Sequence, residues 1–422
     1  MTQSALSALT LGYRPLWNRQ RRLAGVQLYL HEDPGEPADM QHLLRILQEL
    51  WSEQAPPLLL SPQSRQTLCD LLVHAPQGSP WIEVRGDWLL QDESIYELVL
   101  QARARGLMLV WGGSLDEVPE PEAARLFASS LLSLPLQGAE GVPNMPSAQV
   151  AQFMAQQEPT QLSVRPLQLL GGQMYEGLKS LALARICLDV QEAGAVAGWP
   201  VADTVQTFRL QQPQPARDNL LKLMQAIDKE QSMDTLEHLL AEDPVLAYRF
   251  MLYTNSAALG LRRGVDSLRR GLVMLGLGTL QRWLADQLPH ACTEQDLVPL
   301  RTQMVLRARL AEHLIEAGVG LELQREMYLC ALFSQLDLLL HEPLNTTLRR
   351  MPLSDRIFDA VIARTGPYSG SLAMAMALES PEAAPIRQLR EEHEWETEDL
   401  NRILLRMLGD LRLGMPAAAK AA

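Results

Sequence analysis

At 422 residues the chain has room for two or three domains. Its 47% apolar and 21% charged content excludes a disordered tail, a collagen-like fibre and a small disulfide-stapled scaffold. Lys and Arg number 37 against 50 for Asp and Glu, a net charge of −13, and both halves are acidic: 14 basic against 22 acidic residues up to residue 214, and 23 against 28 beyond it. A protein that wraps a polyphosphate backbone carries a basic footprint, so nucleic acid is not expected as the main partner.

Up to about residue 214, short apolar runs alternate with helical spacing. Ala24–Leu30, Pro57–Leu60, Trp81–Val84 and Leu107–Trp111 read as buried strands. Leu43, Leu44, Leu47 and Leu50 mark one intervening helix face, and Tyr96, Val99 and Leu100 another. That alternation is the pattern of an α/β domain with parallel strands. Pro213 and Pro215 punctuate the boundary, which places an α/β domain at 1–214 and an all-α domain at 215–422.

Beyond the boundary the grammar is helical. Leu220, Leu223, Met224 and Ile227 form one stripe, and Leu236, Leu239 and Leu240 the next. Asp243-Pro244 supplies an N-cap and a first-turn proline for Val245–Tyr253. Ser267 caps a helix carrying Leu268, Leu272 and Leu275; Gly276 and Gly278 interrupt it, and Thr279 is expected to start the next. Cys69, Cys187, Cys292 and Cys330 form no C-x-x-C pair and read as reduced, mostly buried thiols. The N-terminus lacks the basic region of a secretory signal and no apolar run approaches the ~18 residues that span a bilayer, so a cytoplasmic chain without membrane insertion is expected.

The segment Glu242–Trp283 closely resembles the HDOD domain, an all-helical module related to HD-type phosphohydrolases, with Asp243, Pro244, Asn255, Ser256 and Gly276 at its signature positions. Tyr13–His31 and Gln206–Pro213 resemble the opening strands and closing string of an EAL domain, a TIM-like α/β barrel that hydrolyses cyclic di-GMP with two divalent metals. About 214 residues is short for such a barrel, so a strand or helix is expected to be reduced or missing.

The resemblance also says which positions would carry chemistry. Two-metal hydrolysis needs a ring of carboxylates at the C-terminal ends of barrel strands. Here the first ligand position is Gln27, the next is Ser61, and Glu83 is kept while its partner position is Gly86. The tandem Asp-Asp position is Gly112-Gly113. Carboxamides and hydroxyls are weak ligands for hard cations beside carboxylates. In the helical half the His-Asp position of the related phosphohydrolases reads Ser334-Gln335, and the eight histidines show no H-x-x-x-H or H-E-x-x-H spacing.

These residues lead to the expectation of a non-enzymatic signal-transduction protein without a cofactor or metal, working through protein partners in cyclic di-GMP-linked regulation. Two alternatives stand beside it: an inactive EAL pocket that still binds cyclic di-GMP, and, disfavoured, an active phosphodiesterase or phosphohydrolase. Arg262, Arg263, Arg269 and Arg270 crowd the approach to the Ser267 helix and form the candidate patch for an acidic partner or a phosphate. A solvated face balanced by Asp and Glu is the plainer reading of the same arginines.

Overall fold

The computed structural model describes residues 4–35, 38–134, 169–259, 264–315 and 319–412. The chain divides into two compact units, Met1–Thr204 with Ala377–Ala422, and Val205–Met376.

In the first unit eight strands close a barrel in chain order. β1 (Leu9–Trp17) and β2 (Leu23–Glu32) form an antiparallel pair; β3 (Leu58–Pro62), β4 (Trp81–Arg85), β5 (Leu109–Ser114), β6 (Ser129–Ser133), β7 (Met174–Glu176) and β8 (Ala195–Ala197) continue parallel to β2. β8 then pairs antiparallel with β1 and closes the ring. The expected strands correspond to β2–β5. Of the expectation that an element is reduced or missing, a missing strand is corrected, because the ring is closed; its last two strands are reduced to three residues each, too short to show a period of two in the sequence.

Several of the helices between the strands are capped by local side chains. Asp39 accepts from His42 N at 3.0 Å before Met40–Leu50, and Ser64 accepts from Thr67 N at 3.1 Å before Arg65–His74. Side chains alternate between the helix-facing and inward sides of each strand. Leu16, Leu59, Val110, Leu131, Met174, Ala195 and Ala197 fill the barrel as a single apolar cluster. Two residues further toward the C-terminal ends of β3, β4, β6 and β7 the positions on the same face are polar, Ser61, Glu83, Ser133 and Glu176, whereas β5 has Gly112 and β8 has Ala197.

The unit is completed from the far end of the sequence. The helices Ala383–Glu392 and Thr397–Gly409 pack on β1. Asp33, just past β2, accepts from Thr10 Oγ1 at 2.6 Å, Arg387 Nε at 2.7 Å and Arg390 at 2.5 Å. Asn401 donates to the carbonyls of Leu6 and Leu9 at 2.8 and 2.6 Å. The compact units therefore divide at Thr204/Val205 and again at Met376/Ala377, where the sequence suggested one division near 214. Contacts joining residues more than 350 positions apart leave no local signal, so a linear reading assigns this tail to the helical half.

The second unit is helical among its described residues. Arg217–Asp228, Met233–Ala241 and Pro244–Thr254 match the expected stripes, and Ser267 accepts from Arg270 N at 3.3 Å at the start of Leu268–Leu275. The next helix begins at Leu277, not at Thr279: Gly276, at φ 72°, makes the turn in a conformation that favours glycine.

Candidate functional site

The polar layer at the C-terminal end of the barrel gathers the positions singled out in the sequence. Register sets Arg14 opposite Gln27, Gln27 beside Leu59, and Tyr29 beside Ser61. Gln27 Nε2 donates to Ser61 Oγ at 3.0 Å and to Glu83 Oε2 at 3.3 Å. The Ser61 hydroxyl donates to the same Glu83 oxygen, and the Tyr29 hydroxyl donates to Gln27 Oε1 at 2.9 Å. The structure thus brings Gln27, Ser61 and Glu83 from three adjacent strands into one hydrogen-bonded knot. Burial pushes the Glu83 carboxyl up to about 7, against the opposing pull of the Ser61 bond.

Gly112 borders this knot on β5: a Cβ there would collide with Glu83 Oε1. Gly86 begins the helix after β4, and a Cβ there would collide with the Trp111 ring. Gly113 is tight against Trp111 Nε1, which a Cβ would approach to 2.9 Å. Each of these glycines is therefore fixed by a neighbouring side chain.

Three further residues of the layer were not singled out in the sequence. Arg14 Nη1 pairs with Glu176 Oε2 at 3.1 Å, and the Arg14 guanidinium lies 5.5 Å from the centre of the Tyr29 ring. Burial raises the Glu176 carboxyl, while Arg14 and Arg85 draw it back. Inward alternation of Arg14 with Leu16 and of Gln27 with Tyr29 would have flagged Arg14 and Tyr29. Glu176 sits on a three-residue strand that no pattern announced. At the rim Arg85 stacks 5.1 Å over Trp88 and pairs with Asp87 at 3.4 Å.

As a metal site the layer is poor. A pair of divalent ions asks for several free carboxylate oxygens. Around Glu83 the neighbours are a carboxamide and a hydroxyl that already donate to it, and Glu176 is held by Arg14. These residues do not fit two hard cations. Among the described residues no group of three His, Cys, Asp or Glu side chains is placed to hold one.

In the helical unit the signature residues act as fasteners. Asp243 is fully buried; its Oδ1 accepts from Val245 N and Leu246 N at 2.8 and 3.1 Å, capping Pro244–Thr254. Its Oδ2 takes Ala216 N at 2.5 Å and Arg301 Nη1 at 2.6 Å, and Arg301 also donates to the Gln214 carbonyl at 2.7 Å. Asn255 donates to the carbonyls of Met251 and Val265 and accepts from Val265 N at 2.7 Å, which ties the end of the helix to Val265. Ser256 follows at the helix end. Ser334 caps the end of Leu321–Phe333, with Oγ donating to the Ala331 carbonyl at 2.7 Å, and Gln335 opens the short helix Leu336–Leu340.

Residues 214–342 match the HDOD domain. The helical unit carries this module. Its helix cap at Asp243-Pro244 and the Asn255–Val265 hydrogen bonds lie inside the matched span, as do Gly276, Ser334 and Gln335. Among curated proteins, the chain is 22% identical over 167 residues to the uncharacterized protein YuxH of Bacillus subtilis, covering 38% of this chain and 40% of that protein. It is 24% identical over 171 residues to the cyclic di-GMP phosphodiesterase CdgJ of Vibrio cholerae, covering 40% of this chain and 39% of that protein. The chain thus spans about two fifths of the length of these relatives. A solved structure, the MmoQ response regulator of Methylococcus capsulatus, is similar at 17% identity and a TM-score of 0.37, covering 46% of this chain and 98% of that one.

Of the four arginines in the candidate patch, Arg262 and Arg263 lie outside the described residues. Arg269 reaches Asp234 and, at 3.5 Å, Glu237, which Arg325 also contacts at 3.0 and 3.4 Å respectively. Arg270 pairs with Asp266 at 2.8 Å. Both described arginines thus have acidic neighbours of their own. No described helix is long and apolar enough to cross a membrane.

Proposed function

We propose that this chain is a non-catalytic, cytoplasmic signalling protein in cyclic di-GMP-linked regulation, acting through protein partners. In this reading the barrel is an EAL-like domain whose metal-binding positions have been replaced, and the HDOD domain is the partner-facing module. The observation that carries the reading is the knot of Gln27, Ser61 and Glu83. The one carboxylate kept at these positions accepts hydrogen bonds from the two residues that replace its fellow ligands. A nucleophilic water activated by two metals has no ligand set there. The HDOD match and the similarity to a protein named as a cyclic di-GMP phosphodiesterase support the signalling context.

A hydrolysis assay with cyclic di-GMP and Mg²⁺ or Mn²⁺ tests the central claim. No turnover is expected; turnover that scales with protein and is lost in Glu83→Ala overturns it.

The polar barrel layer favours a second reading, a cyclic di-GMP-binding sensor. Arg14 and Glu176 keep about a quarter of their side-chain surface exposed, at 22% and 29%, and could meet a polar ligand. Calorimetric titration with cyclic di-GMP separates the two readings: saturable heat supports the sensor, and its absence supports action through protein partners alone.

A further inference from the structure

The chain returns to the barrel unit at Ala377, and its next residues lie over the polar layer just described. Gly12 faces the same side of β1 as Arg14 and Leu16, one step nearer the mouth, opposite Tyr29. A Cβ at Gly12 would collide with the Ser380 carbonyl and come within 3.6 Å of the Leu378 carbonyl. One pair further out on β2, the His31 ring nitrogen Nε2 lies 2.9 Å from the Pro381 carbonyl oxygen. The backbone of Leu378–Pro381 therefore lies on the inward side of both β1 and β2, above the Arg14–Gln27 level. A glycine at position 12 is what lets it come so close.

We propose that Leu378–Glu382 is a strap across the β1–β2 side of the barrel mouth, a built-in cover that must lift before a ligand reaches the Arg14–Glu176 level from that side. This rests on reading the polar mouth as ligand-facing; it does not depend on whether the barrel hydrolyses anything. The strap is tied down one helical turn later. Arg387 and Arg390 hold Asp33, and Arg387 also donates to the Glu32 carbonyl at 2.8 Å. Asp33 gathers a Thr10 hydroxyl and two guanidinium groups, and burial of the carboxylate strengthens such bonds. The segment also follows directly on Ser369–Leu378, the helix in which the chain leaves the second unit.

The test uses the full chain and two readouts, hydrogen–deuterium exchange and carboxylate labelling with a water-soluble carbodiimide and glycine ethyl ester, both read by mass spectrometry. In Arg387→Ala/Arg390→Ala, exchange across 378–392 and the end of β2 is expected to rise at least about tenfold. Labelling of Glu176 is expected to rise several-fold relative to the exposed Glu192, while peptides from 217–254 keep their wild-type exchange. Arg387→Lys/Arg390→Lys should restore most of the protection. Unchanged Glu176 labelling in a variant whose strap exchanges faster overturns the proposal, as does a strap that exchanges at the solvent rate in the wild type. If the double Ala variant unfolds as a whole, His31→Phe, which removes only the bond to Pro381, is judged by the same two readouts.

Discussion

Gly112 and Glu83 exclude one another's alternatives: the Glu83 carboxylate occupies the volume that any side chain at 112 would need. The position where the resemblance asks for an acid is thus closed by the one acid that remains. Gly112→Asp should not rebuild a metal site. It should place a second carboxylate against Glu83 and cost about 2–3 kcal/mol through overpacking and like-charge repulsion. Thermal melts with and without Mn²⁺ check this, and a Mn²⁺-dependent rise in the variant's melting temperature would contradict it.

Glu83 also makes the barrel sensitive to pH. Its folded-state value of about 7 lies above that of an unfolded glutamate near 4.5, so the folded chain holds a proton the unfolded chain has lost. Stability is fully present below the unfolded value and falls as pH rises through about 7. Glu83 is only partly shielded by surface measure, which screens the effect to about 1–2 kcal/mol. The melting temperature should drop between pH 5 and pH 8 in the wild type. The drop should be smaller in Glu83→Gln, which keeps an oxygen for Ser61 and cannot ionise.

Asp243 and Arg301 form a nearly dry ion pair, at 0% and 7% side-chain exposure. Removing one member leaves the other charge buried. Asp243→Ala should therefore cost about 3–5 kcal/mol, because it also uncaps Pro244–Thr254. Asp243→Asn keeps an acceptor for the cap and should cost less. Far-UV circular dichroism on denaturant titration reports both, and an Asp243→Ala variant as stable as the wild type would remove Asp243 from the fold's supports.

Arg269 and Arg270 make exposed ion pairs, which contribute little to stability. Replacing both with Ala should lower the melting temperature by no more than about 2 °C. If the arginine patch is a docking surface for an acidic partner, the same variant, extended to Arg262 and Arg263, should weaken partner capture in a pulldown from the native host. The loss should match that caused by raising salt. Capture that is indifferent to all four substitutions would locate the partner surface elsewhere.

Much of this protein is local and was legible from sequence. Asp243-Pro244, Ser267 and the leucine stripes set helix starts and buried faces, because caps and amphipathic periods involve residues only a few positions apart. The four central strands were legible for the same reason, as runs of Leu, Ile and Val bounded by turn residues. Gln27, Ser61 and Glu83 could be named as replaced or retained ligand positions. That they meet in one hydrogen-bonded knot was decided by strand register, which joins residues 34 and 22 positions apart. Arg14 with Glu176, the three-residue closing strands, and the return of Arg387 and Arg390 to Asp33 depended on tertiary structure alone. Each joins segments that share no period and no neighbourhood in the chain, and only closure of the barrel brings them within reach of one another.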